Sequence, residues 1–138
     1  MDVRPKKSLG QHFLTDQTIA FNIAGAICSE DKSCGNSSRE VLEVGPGTGV
    51  LTQYLLKRDD IRLQAVELDH ESVEYLLATW PSFTPSLHEA DFLKLDLAKL
   101  YPEGDFRIIG NFPYNISSQI FFKVLDHHDL IPEAVCMS

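Results

Sequence analysis

The sequence predicts an α/β fold in which a parallel sheet is flanked by helices. From residue 41 onward, short β-branched runs alternate with helical patterns, which is typical of consecutive βαβ units. A Gly-rich segment joins the first of these runs to the helix that follows it. The chain has 138 residues, of which 43% are hydrophobic and 23% charged, as expected for one globular domain. This composition excludes disordered, fibrous and disulfide-dependent mini-protein classes.

Five short strands are expected in this sheet. They are predicted at residues 41–44, 63–66, 86–89, 106–109 and 134–137. The last one lies at the end of the chain, so we expect a sheet that is truncated at about its fifth strand.

A helix is predicted ahead of the sheet. Thr15 is a candidate N-cap, and Ile19, Ile23 and Ile27 recur every four residues with small alanines between them. This pattern predicts a packing helix. The polar segment 29–38 then reads as a surface loop.

Three further helices are expected between the strands. The first follows Gly49 to about Lys57, the second starts with Asp69 as its cap, and the third covers about 117–125. The side chains expected to face the sheet are Leu51 and Leu55 in the first helix, Val73, Leu76 and Leu77 in the second, and Ile120, Phe121, Val124 and Leu125 in the third.

The charge balance argues against a general nucleic-acid-binding surface. Twelve Lys and Arg residues stand against 20 Asp and Glu residues, which gives a net charge of −8. The exception is the segment 1–14, where Arg4, Lys6 and Lys7 outnumber Asp2. Any polyanion is therefore expected to meet this tail, for which a merely solubilising role is the alternative.

The cysteines predict neither disulfides nor a metal site. Cys28, Cys34 and Cys136 are odd in number and have no CxxC spacing, so we expect reduced thiols in a cytoplasmic protein. The chain also lacks an apolar stretch of membrane-spanning length and an apolar run behind its basic start. No membrane partner is expected.

The Gly-rich segment 43–49 (EVGPGTG) is the first candidate binding feature. Gly45 and Gly47 allow a tight turn and a close approach of the backbone to a ligand. Position 50 is Val, so the dinucleotide pattern GxGxxG is not met. We expect Glu43 to place a carboxylate at the mouth of the loop, where it repels a pyrophosphate and attracts a cation.

Four polar or glycine positions recur at regular intervals. Gly45, Glu67, Asp91 and Asn111 are separated by 22, 24 and 20 residues, about one βα unit each. They should therefore lie just past the carboxyl ends of successive strands, where open α/β sheets bind ligands. Glu67 suits a ribose diol and Asp91 an adenine amine, whereas the alternative is that both acids only cap helices. The regular spacing favours a nucleoside cleft.

The segment 111–114 (NFPY) is the most specific feature. An exocyclic amine on a base is a poor nucleophile because its lone pair is delocalised into the ring. The side-chain oxygen of Asn111 and the backbone carbonyl of Pro113 can each accept one amine hydrogen, and Tyr114 offers a ring for stacking. A simple turn is the alternative for such a segment in isolation.

Several of these segments together resemble the ribosomal RNA adenine dimethyltransferases. They are 5–16 (PKKSLGQHFLTD), 43–52 (EVGPGTGVLT), 66–69, 90–92 and 109–118 (IGNFPYNISS), in that order over nearly the whole chain. The resemblance implies a Rossmann-like fold of S-adenosylmethionine-dependent methyltransferases, with S-adenosylmethionine as cofactor. It implies as substrate the exocyclic amines of two adjacent adenosines near the 3′ end of small-subunit rRNA, within an assembling ribosomal subunit.

The resemblance also implies roles for single residues. His12 and Leu14 would close over the cofactor, and Gly45 and Gly47 would bind it in the loop, with Gly45 on its methionine part. Glu67 would bind its ribose and Asp91 its adenine. Asn111 would bridge the cofactor and the target base. By the same match, Asn111, Pro113 and Tyr114 form the catalytic positioning set, and Lys6 and Lys7 contact rRNA phosphates.

Members of this family continue past the position of Ser138 with a helical RNA-binding domain, which we expect to be absent from this chain. We therefore expect a basic tail over 1–14 and an incomplete catalytic domain over 15–138, weak or inactive alone on RNA. Three alternatives stay open: a large-subunit rRNA methyltransferase of the antibiotic-resistance type, a non-catalytic ribosome-assembly or transcription factor of the same fold, and a nicotinamide dehydrogenase.

Overall fold

The computed structural model describes residues 17–27, 39–102, 104, 106–111, 114–127, 131 and 133–137. In these ranges the strands are β1 (Glu40–Val44), β2 (Arg62–Glu67), β3 (Leu87–Glu89), β4 (Phe106–Asn111) and β5 (Glu133–Met137). The α-helices are α1 (Gln17–Ala26), α2 (Thr52–Leu55), α3 (His70–Thr79), α4 (Leu97–Leu100) and α5 (Tyr114–Asp126), and two 3₁₀ turns cover Pro81–Ser86 and Phe92–Lys94. None of these helices has both the length and the apolar character needed to cross a membrane.

The five strands form one parallel sheet in the order β3-β2-β1-β4-β5. The first three strands extend the sheet in one direction from β1, and the chain then returns to place β4 on the other side. Val44 at the end of β1 pairs with Val66 in β2 and with Gly110 in β4. Such a reversal of strand order leaves a crevice at the carboxyl ends of the strands, which is where open sheets bind ligands.

Both faces of the central strands β1 and β4 are buried. Leu42 and Ile108 face one hydrophobic cluster with Ile120 of α5, whereas Val41 and Ile109 face the other, which includes residues of α1 and α2. Because successive side chains of a strand point to opposite faces, strands buried on both faces appear in the sequence as continuous apolar runs. The predicted parallel sheet with flanking helices is confirmed.

Helix α1 packs through two small alanines as well as through part of the predicted isoleucine row. Ala20, Ala24 and Ile27 are buried and Ile23 packs partly buried against the same cluster, whereas the side chain of Ile19 is 38% exposed. The small alanine side chains let α1 come close to its neighbours. Arg58 supplies hydrogen-bond donors for the carbonyls at the end of α1: its Nη1 donates to Ala24 at 3.0 Å and to Ile27 at 2.6 Å.

Helix α2 is shorter than predicted. It is a single turn, Thr52–Leu55. A bond from the Arg58 N–H to the Leu55 carbonyl, at 3.1 Å, forms a turn directly after the helix. Leu51 and Leu55 are buried as predicted.

The other two predicted helices are present, with partly different faces. Helix α3 is capped by Asp69, whose Oδ2 accepts from the Ser72 N–H at 3.0 Å, as predicted, and Val73 and Leu76 are buried. Helix α5 begins at Tyr114, three residues earlier than expected. Leu125, expected on its apolar face, is 47% exposed, because the helix packs on the sheet mainly through Ile120.

Candidate functional site at the carboxyl edge of the sheet

The Gly-rich loop connects β1 to α2 at the reversal of strand order. Gly45 donates its N–H to the Val66 carbonyl at 2.9 Å, which fixes the start of the loop to β2. Gly47 has a φ of +59°, and no atom lies within 4 Å of the place where a Cβ would stand. The loop therefore presents bare backbone to open space at Gly47.

Glu67 is held at the end of β2 by two backbone donors. Its Oε1 accepts from the Gly47 N–H at 2.8 Å, and its Oε2 accepts from the Asp69 N–H at 2.9 Å. The residue is 9% exposed. Because each carboxylate oxygen has a second lone pair, both oxygens keep acceptor capacity for a ligand. The cap of α3 is Asp69, so the capping alternative does not describe Glu67.

Asp91 follows β3 and is half-buried. Its Oδ1 accepts from the Leu93 N–H at 3.0 Å, so this acid does cap the 3₁₀ turn Phe92–Lys94. Its Oδ2 has no hydrogen-bond partner in the part of the chain that the structure describes. The preceding Ala90 N–H donates to the Glu67 carbonyl at 3.0 Å, which ties the two acidic segments together.

The four regularly spaced positions lie along one edge of the sheet. Asp91 follows β3, Glu67 ends β2, Gly45 follows β1 and Asn111 ends β4, and these strands are neighbours in that order. All run in parallel, so their carboxyl ends meet at the same edge. The Gly-rich loop and Asn111 flank the point where the strand order reverses.

Glu43 does not lie at the mouth of the loop, and that expectation was wrong. The residue is 1% exposed, and its Oε1 accepts from the Thr52 Oγ1 at 2.6 Å. Burial raises the pKa of Glu43 to about 8, the Thr52 hydroxyl opposes this rise, and the nearby Glu67 adds to it. At neutral pH the carboxyl is therefore mostly neutral and lies beneath the loop. The acidic character of the edge comes from Glu67 and Asp91. With Glu43 buried, the remaining feature that argues against a dinucleotide ligand is Val50, which stands where the GxGxxG pattern requires glycine.

Residues 3–137 match the family described as ribosomal RNA adenine dimethylase. The chain belongs to this family. It is 52% identical over 98% of its length to ribosomal RNA small subunit methyltransferase A of Cytophaga hutchinsonii, covering 50% of that protein. It is 55% identical over 94% of its length to the Parabacteroides distasonis protein of the same name, covering 46% of it. The chain thus spans about half the length of the curated relatives it matches.

The sheet of this chain also resembles that of more distant methyltransferases. A ribosomal protein L11 methylase from Lactobacillus delbrueckii subsp. bulgaricus superposes with a TM-score of 0.56 over 91% of this chain and 60% of that chain. The two sequences are only 18% identical, so the likeness concerns the fold. It supports the predicted Rossmann-like methyltransferase fold.

Some of the positions predicted from sequence lie outside the described residues. These are Lys6, Lys7, His12, Leu14 and Pro113, together with Thr15, Cys28 and Cys34. Asn111 and Tyr114 are described for their backbone alone: Asn111 ends β4 opposite Met137 of β5, and Tyr114 begins α5.

Three residues that support this edge were missed by sequence reasoning. Thr52 is buried and bonds to Glu43, Trp80 packs against Gly49, and Lys123 of α5 reaches the turn that follows Asp91. Only Thr52 had a local signal, as a hydroxyl residue inside the apolar pattern after the loop. The other two contacts join segments about 30 residues apart along the chain, and no periodicity reports them.

Proposed function

We propose that this chain is the cofactor-binding and catalytic part of an S-adenosylmethionine-dependent rRNA adenine dimethyltransferase. The proposed reaction transfers methyl groups to the exocyclic amines of two adjacent adenosines near the 3′ end of small-subunit rRNA, during ribosome biogenesis. The observation that carries the proposal is the Glu67 carboxylate, held at the sheet edge by the Gly47 and Asp69 N–H groups. Membership of the family, and the name that the relatives share, supports the substrate class.

The described residues fit this cofactor. Gly47 leaves space beside the backbone that any Cβ would fill, Glu67 keeps acceptor sites for two ribose hydroxyls, and Asp91 keeps Oδ2 for the amine of the adenine. When bound, S-adenosylmethionine supplies an electrophilic methyl group on a sulfonium cation. The two carboxylates favour a cation at this edge.

The remaining roles follow from the family resemblance and stay proposals. Asn111 and the Pro113 carbonyl accept the hydrogens of the target amine, and Tyr114 offers a ring on which the extruded base stacks. In-line displacement needs alignment more than acid or base catalysis, so positioning groups suffice. His12 and Leu14 close over the cofactor, and Lys6 and Lys7 meet rRNA phosphates. The division into a tail (1–14) and a catalytic part (15–138) belongs to the same proposal, as does a cytoplasmic location.

Glu67→Gln is expected to weaken binding of S-adenosylhomocysteine by roughly 5-fold to 150-fold, since a ribose hydroxyl that loses its charged acceptor costs about 1–3 kcal/mol. The amide replaces one oxygen by an NH₂ group, which cannot accept from a ribose hydroxyl, and the Gly47 or Asp69 N–H that faces this group loses its acceptor whether or not the ligand is bound. Titration calorimetry measures the effect. Glu71→Gln, an exposed acid in the first turn of α3, is the matched control. Binding by Glu67→Gln within twofold of the unmodified chain contradicts the proposed ribose contact.

Asp91→Asn is expected to change which base the site prefers. The unmodified chain should bind S-adenosylhomocysteine at least about tenfold more tightly than S-inosylhomocysteine, whose ring carries a carbonyl oxygen in place of the amine. An asparagine can turn its NH₂ group toward that oxygen, so the preference should shrink or reverse. Asp96→Asn, at the N-cap of α4, is the control. An unchanged preference in Asp91→Asn excludes Asp91 as the adenine contact.

Transfer of a radiolabelled methyl group to undermodified small ribosomal subunits tests the reaction itself. We expect label in small-subunit rRNA, its loss in Asn111→Ala, and a much lower rate than for a relative of full length. Label confined to large-subunit rRNA favours the resistance type. Cofactor binding without transfer, in both this chain and a full-length form, favours the non-catalytic factor. Tighter binding of NAD than of S-adenosylhomocysteine rejects the proposal.

A further inference from the structure

Lys123, on α5, bonds to both ends of the short turn that follows Asp91. Its Nζ donates to the Phe92 carbonyl and, at 2.6 Å, to the Leu95 carbonyl. The same Nζ lies 4.9 Å from the centre of the Phe92 ring. The lysine is half-buried.

The turn that Lys123 holds has few bonds of its own. The Lys94 N–H donates to the Asp91 carbonyl at 3.0 Å and the Leu95 N–H to the Phe92 carbonyl at 3.2 Å. The Asp91 Oδ1 accepts from the Leu93 N–H, so the orientation of this carboxylate depends on the shape of the turn. A 3₁₀ turn of three residues is weakly stabilised by itself, and contacts from outside therefore decide how rigid it is.

The ammonium group is also close enough to interact with the Asp91 charge. Partial burial lowers the pKa of Lys123, and the nearby Asp91 and Asp96 oppose this shift. The donors nevertheless go to the two carbonyls, and neither Asp91 oxygen accepts from Lys123. The lysine thus restrains the backbone around Asp91 while it leaves the Oδ2 acceptor to a ligand.

We infer that Lys123 is a positioning residue that fixes the Asp91 turn against α5, so that Asp91 keeps the orientation in which it distinguishes an adenine amine from a carbonyl oxygen. The inference rests on the proposed function, because it takes Asp91 as the adenine contact. Helix α5 begins at Tyr114, directly after the segment 111–113. Lys123 therefore joins the helix that follows the proposed target-base segment to the turn that recognises the cofactor base.

The test compares two ligands on the same variants by titration calorimetry. The dissociation constants of S-adenosylhomocysteine and S-inosylhomocysteine are measured for the 138-residue chain and for Lys123→Met. Methionine keeps the apolar stem against Phe92 and removes every donor. Lys99→Met, which replaces an exposed lysine on α4, is the control. Should circular dichroism show that Lys123→Met is unfolded, Lys123→Gln takes its place. Glutamine is polar but neutral, and its side chain is too short to donate to both the Phe92 and the Leu95 carbonyls.

The ratio of the two dissociation constants is the readout, because a general loss of stability weakens both ligands alike. We expect a ratio of about tenfold or more in the unmodified chain and in Lys99→Met, and within about twofold in the Lys123 variant. A Lys123 variant that keeps the full ratio overturns the inference, even when both affinities fall. A ratio near one in the unmodified chain shows that the proposed adenine contact itself has failed, and the inference with it.

Discussion

Gly49→Ala is expected to lower the free energy of unfolding by roughly 2–5 kcal/mol, the sum of a left-handed backbone cost and overpacking. Gly49 has a φ of +88°, and an added Cβ would lie 2.6 Å from Cζ3 and 2.8 Å from Cη2 of Trp80. Leu76, at 3.1 Å, is fully buried, so the methyl group can be accommodated only by a shift of the Trp80 ring. Since small domains are stable by only about 5–15 kcal/mol, this one methyl group removes a large part of the total. Urea denaturation at constant pH measures the change.

Gly47→Ala is the matched control in the same loop. Its φ of +59° imposes a similar backbone cost, but a Cβ there meets no atom within 4 Å, so a loss of only about 1–2 kcal/mol is expected. A second test is Gly49→Ala combined with Trp80→Leu, where the smaller side chain should recover part of the loss. Equal losses for the two glycine variants, or no coupling to Trp80, would show that the contact with the indole ring has no energetic weight.

Glu43→Gln is expected to stabilise the chain relative to the unmodified protein, and more so as the pH rises. The ordinary pKa of this carboxyl is 4.5, whereas burial raises it to about 8 in the folded chain. Between these two values the unfolded chain releases the proton and the folded chain keeps it, so the unmodified protein loses up to about 1.4 kcal/mol of stability per pH unit. Below about pH 4.5 the two proteins should have equal slopes, and above about pH 8 their difference should be constant.

Urea denaturation from pH 4 to pH 9 measures this difference. Glutamine matches the protonated carboxyl in shape and can still accept from the Thr52 hydroxyl, so a change of packing is not the cause of the pH dependence. Glu71→Gln, on the exposed surface of α3, controls for the loss of a carboxyl group in general. Parallel stability curves for Glu43→Gln and the unmodified chain would show that Glu43 ionises normally in the folded state.

The sheet and the order of the site positions were predictable because local patterns encode them. Apolar runs mark strands that are buried on both faces, and intervals of 20 to 24 residues place Gly45, Glu67, Asp91 and Asn111 at successive strand ends. Strand bounds differ from those predicted by at most two residues at either end. The N-cap at Asp69 was also readable, since a capping acid bonds to a donor three residues away.

What could not be predicted depends on contacts between distant segments. In α1, isoleucines and alanines recur with the same period in neighbouring rows, so periodicity alone cannot say that Ala20 and Ala24 are buried while Ile19 is exposed. The sequence places Glu43 near the end of a strand, but whether its carboxyl is protonated depends on burial by other parts of the chain. The bonds of Lys123 to a turn 28 and 31 residues earlier leave no trace in either segment.

The position of β1 at the reversal of strand order has a consequence for synthesis of the chain. One edge of β1 pairs with β2 soon after it is made, but its other edge pairs only with β4, after residues 45–105 have been added. At about 5–20 residues per second, the ribosome needs roughly 3–12 s for that stretch. During this interval an apolar strand keeps open backbone donors and acceptors, which other nascent chains can recruit. The growing polypeptide is thus open to aggregation through β1 until β4 has been made and pairs with it.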